Sequence, residues 1–248
     1  MSLLEAERIK LFTTRSPWWC GLLAIALPVG LTALIATQAG GPGSAEFDAS
    51  ATQLLTGLGR SVVMVMAALS ITSEYRFGTI RATFQAVPNR TSALLAKTAV
   101  TAVPAALIGA VVGFGSWAVF RLIHPDPALA LDSAADWRAV AGQPLVFAIT
   151  AVLSLGVGIL IRQTAGAVAV LLVYSLLVEG LVGLIPKIGD DIQHWMPFFA
   201  ADRFIGVQAD APGLQELPLG PWGYLAYFAA IAVAVLAAGI LSAGRRDA

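Results

Sequence analysis

Charge is scarce in this chain, and histidine and cysteine are scarcer. Only 12% of the 248 residues are Asp, Glu, Lys or Arg, against 58% hydrophobic. A soluble domain carries about 25% charged residues, so the composition points to a polytopic membrane protein. The single cysteine, Cys20, rules out an intrachain disulfide; lying in an apolar run, it reads as a small buried hydrophobe. The two histidines, His124 and His194, have no Cys or His nearby in sequence, so no metal site is expected. No G-x-S-x-G is present and no nucleophile is paired with a base, so no catalytic residue is assigned and an enzyme acting on membrane lipids is disfavoured. Walker A is missing too: Lys97-Thr98 follows Ala96 and Thr91 where that motif needs glycines, so the chain cannot bind ATP that way. A formal net charge of zero argues against a nucleic-acid partner. The absence of an internal repeat weighs against carriers built from inverted halves.

What is abundant is apolar sequence in long runs. Six segments, about 17–38, 54–72, 98–120, 144–161, 164–185 and 222–241, match or approach the ~20 residues needed to cross a bilayer. The fold expected is all-α, one integral membrane domain over 1–248 with six transmembrane helices. The first run is too long for a signal peptide, and Glu5 and Glu7 stand among its preceding bases, so it reads as a retained span. Ser16 and Pro17 suit its N-cap and first turn. Pro28 and Pro104 should kink their helices, while Gly109, Gly113 and Gly115 suit close helix packing. Arg162 and Gln163 are nearly the whole link between the fourth and fifth runs, which makes those helices antiparallel neighbours.

Flanking segments are informative as well. Ser2 and Glu5 form an S-x-x-E box that opens an interfacial helix over residues 2–15. Arg60, inside the second run, is expected to snorkel outward. Between 186 and 220, Trp195, Met196, Phe198, Phe199, Phe204 and Ile205 carry too much apolar area for a solvated loop. Two half-inserted outer helices are expected there, capped by Asp191 and Asp202.

Charge is strongly segregated by this topology. The side bearing both termini holds ten bases and four acids, and the opposite side ten acids and five bases, with Glu179 left within the membrane. Bases mark the cytoplasmic side. The densest basic stretch is 73–97, SEYRFGTIRATFQAVPNRTSALLAK. There Phe77, Ile80, Phe84 and Val87 recur at i, i+3, i+7 and i+10, which predicts one amphipathic helix with an apolar ridge and a basic flank, ended by Pro88.

Glu74-x-x-x-Gly78-Thr79-Ile80-Arg81, then Pro88-x-Arg90 and Lys97, resembles the E-x-x-x-G-T, P-x-R and Lys pattern between the second and third spans of type-2 ABC export permeases. The resemblance implies a coupling helix that rests in a groove of a separate ATPase subunit, bordered by the N-terminal interfacial helix. It also implies two outer half-helices before the last span, and a path formed with a second permease subunit, identical or not. ATP and Mg would sit on the ATPase and no cofactor on this chain. Under this resemblance Glu74, Arg76, Phe77, Gly78, Thr79, Ile80, Arg81, Phe84, Pro88, Arg90 and Lys97 form the coupling site. Phe77, Ile80 and Phe84 would dock, Gly78 would permit close approach, and Arg76 and Arg81 would pair with ATPase acids or lipid phosphates. The expected location is a bacterial plasma (inner) membrane, with both termini cytoplasmic. Other readings stay open: a segment that only anchors to anionic lipid, or an ion- or proton-coupled carrier using Glu179, an acid inside the fifth span and thus a site by default. Glu179 could pair with Arg60, face the substrate path, or make a packing contact. The substrate is not legible.

Overall fold

The computed structural model describes residues 3–39, 47–87, 89–186, 188–207 and 219–246. Among them every regular element is a helix, with no strand. Six helical segments are long and apolar enough to cross a membrane: Ser16–Gln38, Ala51–Phe77, Arg90–Ile123, Gln143–Ile161, Thr164–Val182 and Pro221–Arg245. The elements are α1 (Leu3–Thr13), α2 (Ser16–Gln38), α3 (Thr56–Phe77), α4 (Thr79–Ala86), α5 (Arg90–Ile123), α6 (Ala134–Ala141) and α7 (Gln143–Ile161). There follow α8 (Thr164–Val173), a π-helical turn (Tyr174–Val178), α9 (Glu179–Val182), α10 (Gly189–Gln193), α11 (Pro197–Ile205) and α12 (Pro221–Arg246).

The hub is α7, which packs on α3, α5 and α12. Its apolar residues point all round, as in a helix buried on every side, and Phe147, Leu155 and Ile159 are fully buried. Close approach to α5 depends on small residues. A Cβ on Gly113 would sit 2.6 Å from the Val140 carbonyl oxygen, and one on Gly109 would sit 2.8 Å from that of Gln143. Beside them Gln143 donates to Thr56 Oγ1 (3.1 Å) and Gln53 Oε1 (3.3 Å), and Gln53 Nε2 donates to the Gly113 carbonyl (3.2 Å), tying the second, third and fourth spans together away from water. Gly113→Ala is therefore expected to lower stability by about 1–3 kcal/mol through overpacking, read as an earlier thermal unfolding of the detergent-solubilised chain.

Several boundaries differ from the sequence reading. The helix that carries the second span does not stop near residue 72: α3 continues to Phe77. The helix that carries the third starts well before residue 98, since α5 is a single helix of 34 residues. At 1.5 Å per residue that is ~51 Å, longer than the ~30 Å of a hydrocarbon core, so its first turns can stand outside the bilayer. Gly244 does not stop the last helix, which runs to Arg246; one glycine costs a helix only ~1 kcal/mol. Ser16 is the first residue of α2 and not its cap, and Arg15 at the cap position makes no side-chain cap bond. The helix α1 is present, but the Ser2 half of its proposed box lies outside the described residues.

Candidate functional site

The stretch singled out in the sequence is not one helix. Gly78 adopts φ 72°, a left-handed conformation that glycine takes without steric cost and that commonly ends helices. It closes α3 and starts α4, changing the helical phase. The predicted ridge is thereby split. Phe77, at the end of α3, is 72% exposed, whereas Ile80 is buried among Ile71, Leu94, Leu155 and Leu236, with Phe84 packed alongside. Ile80 thus seats α4 on its own protein, and Phe84 packs half-buried against the same cluster. The outward face of α4 consists of Thr79, Arg81, Ala82 and Gln85, adjoining exposed Arg76, Phe77 and Gly78. The Arg76 guanidinium lies 5.5 Å from the Phe77 ring, and that of Arg90 lies 5.4 Å from the Phe84 ring. Pro88 lies outside the described residues.

Beneath α4 the structure joins Glu74 and Lys97, two motif positions separated by 23 residues in sequence. Lys97 Nζ sits 2.7 Å from Glu74 Oε1 and 2.7 Å from Glu7 Oε2. Lys10 then bridges Glu7 Oε1 (2.6 Å) and approaches Glu74 Oε1 (3.6 Å). The Lys10 ammonium also donates to Thr83 Oγ1 of α4 at 3.1 Å. Four alternating charges from α1, α3 and α5 thus form one node, with Glu7, Glu74 and Lys97 buried. Burial alone would raise the Glu7 carboxyl, but Lys97 and Lys10 outweigh it and hold it below the ordinary carboxylate value. Burial works against the charge on Lys10, yet Glu7 and Glu74 raise it above the ordinary lysine value. Glu7 is the only buried residue of α1, so that helix is attached through its charges. Beside the node lies a crevice of about 520 Å³ between α1, α3 and α5.

At the other end of the bundle stands Glu179. The π-helical turn before it adds a residue to the helical repeat, the kind of local adjustment that re-aims side chains. Its two carboxyl oxygens accept from the backbone N–H of Phe198 (3.0 Å) and Phe199 (2.7 Å), the free donors that open α11. Gln193 Nε2 donates to the Glu179 carbonyl at 3.0 Å. Arg60 does not snorkel: it is buried, bonds Asp202 Oδ1 at 2.7 Å and lies 5.8 Å from the Phe198 ring. At the far end of α11 Arg138 Nε donates to the Phe204 carbonyl at 2.7 Å. An acid at the N-terminus and a base at the C-terminus both suit the helix dipole. Asp202 therefore lies inside α11 and does not cap it, and Asp191 lies within α10. The groups that close the two ends of α11 come from distant helices.

Among the described residues no group of three or more His, Cys, Asp or Glu could hold a metal. Comparison with protein-family models, with curated proteins and with solved structures found no match to this chain.

Proposed function

We propose that this chain is the permease subunit of an ATP-driven exporter of the type-2 ABC kind, forming a substrate path with a second permease subunit and driven by separate ATPase subunits that carry ATP and Mg. In this reading both termini are cytoplasmic in a bacterial inner membrane, α1 lies along the inner surface, and α10 with α11 are the outer half-helices. The observation that carries it is the node under α4. Glu74 and Lys97 of the motif form a buried ion pair that fixes the bases of α3 and α5, while Lys10 ties α1 to α4 through Thr83. A short helix mounted this firmly can pass a push on its outer face into two spans, which is what a coupling element needs. Glu179 is less suited to carry a coupled proton or ion, because both its oxygens already serve α11.

A mild-detergent pull-down of the tagged chain from its native membranes tests the reading. Wild type is expected to bring down a soluble subunit bearing Walker A. The double variant Phe77→Asp, Arg81→Glu, on the outward face, is expected to lose it, whereas Arg121→Glu at the opposite end of α5 is expected to keep it. If no ATPase is recovered with wild type even after crosslinking, the exporter reading fails.

A further inference from the structure

The helix α1 has a second face that the node does not use. Its inward side carries Glu7 and Lys10 to the node and Leu11 to the crevice. Leu4, Arg8 and Phe12 follow at i, i+4 and i+8 along another row, and all three are exposed, as are Ile9 beside them and Arg15 in the link to α2. Trp18 fixes where this face stands. Its indole N–H donates to the Phe12 carbonyl at 3.2 Å and its ring lies 5.6 Å from the Phe12 ring, so the end of α1 is held against the first turn of the first span. Trp18 and Trp19 are 63% and 64% exposed there, and tryptophan at the end of a span sits at head-group level. At that depth Leu4 and Phe12 reach the acyl boundary, while the longer arginines extend into the polar layer. Neither Arg8 nor Arg15 makes an ion pair among the described residues, in contrast to all four charges of the node. The only exposed acid of α1 is Glu5, so the face keeps a net positive charge.

We propose that this face binds an anionic phospholipid of the phosphatidylglycerol class, drawn from the leaflet on the side bearing both termini. Arg8 and Arg15 pair with phosphate oxygens, which the planar guanidinium fork suits, and the acyl chains lie along Leu4, Phe12 and Trp18. A zwitterionic lipid also offers a phosphate, but its own ammonium cancels the attraction. An acidic protein surface would suit the arginines alone; the Trp18 bond, which sets the apolar row at the edge of the bilayer, favours lipid. The helix is then held on two sides, by buried ion pairs inward and by lipid outward. The assignment needs the first span and these contacts, and does not rest on the exporter reading.

Native mass spectrometry of the full detergent-purified chain, titrated with phosphatidylglycerol and with phosphatidylcholine of the same acyl chains, tests it. The first phosphatidylglycerol is expected to bind roughly thirtyfold tighter, about fivefold from each arginine. Arg8→Gln combined with Arg15→Gln is expected to bring the two lipids near equality; should that pair fail to fold, each single change is expected to lose about fivefold. Arg8→Lys combined with Arg15→Lys keeps both charges and should retain most of the preference. Arg245→Gln removes an exposed base of α12 on the same side and should leave the preference intact, which separates this face from the general positive charge of that side. Equal binding of the two lipids by wild type, a preference that survives the glutamine pair, or one lowered as much by Arg245→Gln overturns the proposal. Equal lipid binding joined to loss of a soluble ATPase from the glutamine pair in the pull-down would overturn it in favour of an acidic protein partner.

Discussion

Lys97→Met is expected to destabilise the chain by about 3–5 kcal/mol, because it leaves two buried acids without their shared cation. The Lys97 side chain is only 8% exposed and touches both carboxylates at 2.7 Å, so water cannot replace it without opening the joint between α1, α3 and α5. Thermal unfolding in detergent measures the loss. The triple variant Glu7→Gln, Glu74→Gln, Lys97→Met removes every charge that Lys97 compensates and should regain most of it, since replacing a whole buried ion cluster is far less costly than breaking one. A triple variant as unstable as the single one would mean that packing of the lysine stem, and not charge, holds the joint.

The same node sets a pH dependence with a definite sign. The Glu7 carboxyl is depressed in the folded chain, burial being outweighed by Lys97 and Lys10. Its contribution is therefore fully present above the ordinary carboxylate pKa of ~4.3 and is lost as pH falls through the lower folded value. Amides of α1 should exchange faster in acid than those of α7. In Lys97→Met Glu7 loses the cation that most lowers its carboxyl and favours the protonated form more than in wild type, so the deficit relative to wild type is expected to shrink on acidification.

The spans were legible because twenty apolar residues in a row admit few other structures, and because proline, glycine and charge punctuate them. The phase of the coupling segment was not. Phe77, Ile80, Phe84 and Val87 keep a helical period on paper, but Gly78 at φ 72° resets it, and the Gly-Thr pair that both ends and begins a helix was the signal for this. Glu74 and Lys97 could be singled out as positions, yet their pairing needed the geometry of two helices. Glu7 and Lys10 were missed as site residues because α1 has no clean apolar face; that lack was itself a sign that something other than apolar contact attaches it. Arg60 and Asp202 lie 142 residues apart, and no local pattern connects them. A base inside an apolar run and an acid inside an apolar loop were each visible, and each demanded a partner. Asn89, which the sequence reading does not single out, caps α5 by accepting from the N–H groups of Thr91 and Ser92.

Removing the Glu179 carboxyl is the other change with a large expected effect. Glu179→Ala leaves two N-terminal amides of α11 without acceptors inside an apolar cluster formed by Phe198, Phe204 and Phe228, for an expected loss of about 2–4 kcal/mol from charge-assisted bonds and an N-cap. Hydrogen exchange locates it: α11 should lose protection while α7 keeps its own. Glu179→Gln retains one acceptor oxygen and should fall between wild type and alanine. That grading separates a cap from a coupled carrier. If Glu179 works by holding α11, transport and α11 protection decline together through the series glutamate, glutamine, alanine. If it works by taking up a proton or cation, glutamine abolishes transport outright while α11 remains protected, and the motif on the opposite face would then have to be explained without an ATPase.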